Sequence, residues 1–165
     1  MAQIFPPDLI ESSETLLERY RQAGKRIVTV ESCTGGLLAA LLTEIPGSSD
    51  VVERGFVTYS NEAKHQLAGV PLEILRAKGA VSAETARAMA MGALCRASAD
   101  VAVSVTGIAG PGGATPDKPV GLVYFGLAAV GDPPSHRRRI FDGDRGGVRL
   151  SSVREALALL AEKVA

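Results

Sequence analysis

Residues 27–45 decide how this chain is built: Ile27-Val28-Thr29-Val30, then Glu31-Ser32-Cys33-Thr34-Gly35-Gly36, then an apolar run from Leu37 to Ile45 closed by Pro46-Gly47. Four β-formers in succession read as a short buried strand. Thr34-Gly35-Gly36 breaks that strand, and Leu37 to Ile45 reads as a helix. A buried strand turning sharply into a helix is the unit of an α/β sheet, in which ligands sit beyond the carboxyl ends of the strands.

Working outward, the same alternation continues. Upstream, Leu9, Ile10, Leu16, Leu17 and Tyr20 recur at helical spacing from about Asp8, and Gly24 offers a stop. Downstream, Val51 to Ser60 reads as a strand, with Asn61 capping a short helix that carries Lys64, and Pro71 starting another. Ser82 caps an Ala-rich helix reaching about Ser98. Val101 to Val105 is apolar except for Ser104, which predicts a mid-sheet strand covered on both faces. After a Gly/Pro-rich loop, Val120 to Val130 and Ser135 to Phe141 form an antiparallel hairpin across Gly131-Asp132-Pro133-Pro134. Leu150, Val153, Leu157, Leu160 and Val164 mark a terminal helix. The order predicts one domain over 1–165, a three-layer α/β/α sandwich whose mixed, mostly parallel sheet has about five strands.

Composition narrows the function. Eighteen basic residues balance eighteen acidic ones, so no global attraction to nucleic acid is expected. Aromatics are few and Trp is absent, which argues against a platform for stacked bases. Cys33 and Cys95 are too few for a disulfide framework and suit a reducing compartment; both read as small buried apolar residues. No signal-like N-terminus and no membrane-length apolar run is visible, so the expectation is a cytoplasmic protein with no membrane partner. A charge-balanced surface permits a homo-oligomer without demanding one. No His/Cys/Asp/Glu cluster has metal-ligand spacing, so neither a metal nor a cofactor is expected.

Three loops leave strand ends carrying unusual residues. The first holds Ser32, where a hydroxyl beside helix N-terminal amides has a nucleophile's position, with Thr34, Gly35 and Gly36 as oxyanion donors; a plain helix cap explains the same residues equally well. The second holds Tyr59 and Lys64. A lysine driven well below its usual ~10.4 by burial can serve as a base, and Tyr59 could orient it or relay a proton. The third runs Thr106-Gly107-Ile108-Ala109-Gly110-Pro111-Gly112-Gly113, a shape that wraps an anion or ribose but lacks the Gly-Lys-Ser/Thr ending of a P-loop. Arg145 could pair with a phosphate. His136-Arg137-Arg138-Arg139 reads as a solvated edge. Cys33 is the rival nucleophile. Tyr-to-Lys spacing of five and the lack of G-x-G-x-x-G exclude a short-chain dehydrogenase, and Gly35 breaks the Ser-x-x-Lys pattern.

Five blocks resemble one family closely: Glu31 to Gly36, Gly55 to Lys64, Gly79 to Ser82, Ser104 to Gly113 and Phe141 to Arg149. Together and in order they are similar to the CinA C-terminal domain family, the nicotinamide-nucleotide amidases. The resemblance implies a three-layer fold and deamidation of nicotinamide mononucleotide to nicotinate mononucleotide and ammonia. It further implies a serine nucleophile assisted by lysine and tyrosine, which falls on Ser32, Lys64 and Tyr59, with the pyridine nucleotide as the small-molecule partner. Thr106, Gly107, Gly110 and Arg145 would hold ribose and phosphate. Longer family members carry a further N-terminal domain, and the pyrophosphatase activity attributed to it is not expected here. A non-catalytic nucleotide-binding module in competence or DNA damage is the alternative.

Overall fold

A computed structural model describes residues 3–165. Its five strands lie in one sheet in the order β2-β1-β3-β4-β5. These are β1 (Ile27–Glu31), β2 (Val52–Val57), β3 (Val101–Gly107), β4 (Leu122–Ala129) and β5 (Ser135–Ile140). β1 pairs in parallel with both β2 and β3, whereas β4 is antiparallel to β3 and to β5. Four strands therefore run one way and only β4 is reversed, and β3 lies at the centre, as its apolar run predicts.

Helices cover both faces. On one side pack α1 (Pro7–Gln22), α2 (Leu37–Glu44) and α6 (Arg145–Glu162); on the other lie α3 (Asn61–Ala68), α4 (Leu72–Lys78) and α5 (Ala83–Arg96). The pleat sends alternate residues of a strand to opposite faces. Ile27, Val101, Val103, Val105, Val123 and Phe125 thus enter the core beneath α1, α2 and α6. Val28, Val30, Ala102 and Ala128 enter the smaller, Ala-rich core beneath α3 to α5. Among the described residues no helix is long and apolar enough to cross a membrane.

Several boundaries depart from the sequence expectation. The second strand ends at Val57, so Thr58 to Ser60 form a loop rather than strand. Ser60, not Asn61, caps α3, its hydroxyl accepting from the Ala63 amide at 3.0 Å; the two adjacent residues are equally good caps by type. Helix α6 begins at Arg145, one turn before its apolar stripe, because Asp144 accepts from the Gly147 amide at 2.8 Å and offsets the poor helix propensity of Gly146-Gly147. Cys95 is exposed on α5 rather than buried, while Cys33 is buried.

Candidate active site

The loops after β1, β2 and β3 converge on a cavity of about 290 Å³ walled by Ser32, Tyr59, Lys64, Thr106 and Arg145, with Ala80 and Val81 opposite. That volume falls just short of the roughly 300–1,000 Å³ usual for small-molecule sites. A larger groove of about 510 Å³ lies between α1 and α6. Its Ser12 hydroxyl donates to the Asp8 carbonyl at 2.7 Å, a local helix contact that leaves it no base.

Ser32 is held by the sheet itself. Its amide donates to the Val105 carbonyl at 2.8 Å, and its own carbonyl accepts from Gly35 at 3.0 Å. Since Val28 and Val30 face α3 to α5, the pleat turns Ser32 to that side as well and sends Glu31 to the other. Lys64, on α3, meets it there. Its Nζ is 2.9 Å from Ser32 Oγ and 2.9 Å from the Thr58 carbonyl oxygen. The lysine is only 1 % exposed, and among the described residues no carboxylate pairs with it. Burial therefore pushes its ammonium down to about 8, against a small opposing pull from Cys33. Roughly a tenth is then neutral at pH 7, and a neutral amine at this distance can accept the serine proton.

The end of α2 is closed to outside anions. Glu31, fully buried, accepts from the amides of Leu38 at 2.9 Å and Ala39 at 3.0 Å. Burial raises its carboxyl above the ordinary range, although those amides pull the other way. This corrects the expectation that Thr34, Gly35 and Gly36 present free donors. The Gly35 amide is spent on Ser32, the Gly36 amide turns to Glu31, and none of the three residues lines the cavity; the Thr34 carbonyl accepts from Arg149 at 3.0 Å. Gly36 serves the turn instead, at φ +95°. Cys33 does line the cavity, and its backbone N–H makes no bond to another backbone carbonyl. Its thiol, by contrast, is pushed up to about 11 by burial, which leaves it inert at neutral pH.

Tyr59 and Arg145 meet at the mouth. The tyrosine is 63 % exposed, and its hydroxyl accepts from Arg145 Nη2 at 3.1 Å; Arg145 Nη1 donates to the Gly110 carbonyl at 2.9 Å. Lys64 has its partners in Ser32 and Thr58, so Tyr59 is bonded to the arginine and not to the lysine. Thr106 and Gly107 wall the cavity, with the Thr106 hydroxyl donating to Ala80 at 2.7 Å. Gly110 contributes its carbonyl to Arg145 and does not itself line the space. The basic run on β5 is surface structure: Arg137 and Arg139 pair with Glu155, and Arg137 also with Glu162. Sequence reasoning missed Glu31 and Arg149 as supports of the Ser32 loop. Glu31 carried a signal, an acid at the end of an apolar strand, that only a buried partner could explain.

Known proteins share this arrangement of chain. A nicotinamide-nucleotide amidohydrolase, PncC, of Escherichia coli K12 is 48% identical over 93% of both chains. A putative competence-damage inducible protein of Caldicellulosiruptor bescii is 50% identical over 84% of this chain, which spans about a third (34%) of that relative's length. In three dimensions the competence/damage inducible protein CihA from Agrobacterium tumefaciens superposes with a TM-score of 0.94 at 48% identity, covering 98% of each chain. The model of the CinA C-terminal domain matches residues 10–164, and the chain belongs to that family.

Proposed function

We propose that this chain is a nicotinamide-nucleotide amidohydrolase, which releases ammonia from the carboxamide of nicotinamide mononucleotide and leaves nicotinate mononucleotide. The observation that carries the reading is the contact of buried Lys64 Nζ with buried Ser32 Oγ at 2.9 Å, in a pocket that among the described residues no carboxylate lines. The 48% identical amidohydrolase of Escherichia coli supplies the substrate.

Neutral Lys64 takes the Ser32 proton as Oγ attacks the carboxamide carbon. The Cys33 amide donates to the oxyanion, the position beside the nucleophile from which such donors act. As the tetrahedral adduct collapses, the C–N bond breaks and Lys64 returns its proton to the departing ammonia. Water, deprotonated by the same lysine, then hydrolyses the ester on Ser32 to the carboxylate. The chain acts as one amidohydrolase domain in the cytoplasm, with Arg145 facing the nucleotide phosphate and Thr106 and Gly107 beside the ribose.

Ammonia release from nicotinamide mononucleotide tests this. Ser32→Ala and Lys64→Ala should each lower kcat by about 10³-fold or more. A wild-type protein that binds the nucleotide without releasing ammonia would make it a binding module instead.

A further inference from the structure

The substrate just proposed carries a fixed positive charge on its pyridinium ring, and the cavity that must receive it is itself cationic. Lys64 and Arg145 line it, and among the described residues no acidic side chain does. The nearest buried carboxylate, Glu31, is turned to the other face and bonded to α2. With Arg145 turned to the phosphate, no acidic side chain of the cavity is left to pair with the pyridinium, and Lys64 opposes it.

One feature of the wall can take the place of that pairing. Among the described residues Tyr59 is the only aromatic side chain lining the cavity. It stays largely exposed, a costly place for an aromatic ring with no partner in the chain. Its hydroxyl is fixed by Arg145, which is fixed in turn by Gly110 of the facing loop. The ring is thus held by its far end while the side chain stays largely exposed at the cavity wall, and a π face attracts a cation where no carboxylate lines the space.

We infer that Tyr59 is the recognition surface for the pyridinium ring, stacking on the cationic heterocycle and selecting it over uncharged rings, and does not carry the proton of the reaction. The inference rests on the hydrolase reading and sharpens it. A tyrosine that relayed a proton would need its hydroxyl near Ser32 or Lys64, whereas here Arg145 holds it.

The test uses the whole chain, whose three tyrosines are its only strong intrinsic fluorophores because Trp is absent. Tyr20 is buried with its hydroxyl on Leu160, and Tyr124 lies on β4, outside the cavity. Nicotinamide mononucleotide should quench the emission of wild type, and Tyr59→Leu should lose that quenching and raise KM about tenfold with a smaller change in kcat. Tyr59→Phe, which keeps the ring but not its anchor, should raise KM about threefold and retain most of kcat. The reduced dihydropyridine nucleotide, whose ring is uncharged, should bind wild type more weakly, and that preference should collapse in Tyr59→Leu. Loss of kcat by two orders in Tyr59→Phe at constant KM would make the tyrosine a proton carrier and overturn the inference. So would a Tyr59→Leu protein with unchanged KM and quenching. Ammonia release by wild type tests the hydrolase reading separately, since quenching needs no turnover.

Discussion

Gly92 of α5 and Ala68 of α3 meet so closely that a Cβ on the glycine would fall 1.5 Å from the Ala68 carbonyl oxygen. This contact seats α3 against α5, and α3 carries Lys64 to Ser32. Local backbone choice at one helix thus sets the distance between Lys64 on another and Ser32.

Gly92→Ala should therefore push α3 outward and open the Lys64–Ser32 contact. Helix propensity favours the alanine by about 1 kcal/mol, yet overpacking against backbone costs about 1–3 kcal/mol or more. The expected result is a lower melting temperature with kcat reduced at least tenfold, read by calorimetry and ammonia release. An unchanged kcat would mean that α3 does not set the dyad.

Lys64 is held at a cost to the fold. Its folded pKa, about 8, lies below the ordinary 10.5 of the unfolded chain, so between those values the unfolded state binds more protons and stability rises with pH. Below about pH 8 the full penalty is present. Lys64→Met, similar in length and uncharged, should stabilise the protein by about 1–2 kcal/mol at pH 7 while abolishing activity. The gain should shrink towards pH 10.5, which chemical denaturation at several pH values can follow.

The same lysine shapes the rate profile. Activity should rise with pH as Lys64 loses its proton, with an acid limb in kcat/KM near 8. In the complex, the pyridinium charge beside the amine further disfavours the protonated form. The limb in kcat should accordingly lie at lower pH than the limb in kcat/KM. Coincident limbs, or a kcat limb at higher pH, would contradict a cationic ring next to Lys64.

Glu31 supports the loop from the opposite face. Glu31→Ala leaves the Leu38 and Ala39 amides without their acceptor and should destabilise the fold by about 2–4 kcal/mol. Glu31→Gln, retaining one acceptor oxygen, should cost about half as much. Urea unfolding midpoints distinguish the two.

Much of this architecture was legible along the chain. Strand and helix periodicity placed the five strands, the central position of Val101 to Val105 and the terminal hairpin, because each element's apolar pattern matches the layer it enters. Ser32, Lys64, Tyr59 and Arg145 were legible as candidates because strand-end loops converge in an α/β sheet. The contact of Lys64 with Ser32 was legible too, but the partner of Tyr59 was not. Tyr59 joined to Arg145 instead of Lys64 depends on where α6 begins, and two glycines masked that first turn. The closed end of α2 was hidden for a different reason: its cap comes from Glu31, seven residues before Leu38, far outside the usual capping window. The exposure of Cys95 depends on which face of a uniformly small-residue helix packs, and alanine spacing does not encode that.

The account stands on Ser32 as the atom that bonds to substrate. Acid-quenching the wild-type protein during turnover of nicotinamide mononucleotide, then mapping its peptides by mass spectrometry, reads that bond directly. A nicotinate nucleotide ester on Ser32, absent from Ser32→Ala together with ammonia release, is the expected result. An adduct on Cys33, or ammonia release that persists in Ser32→Ala, would contradict it.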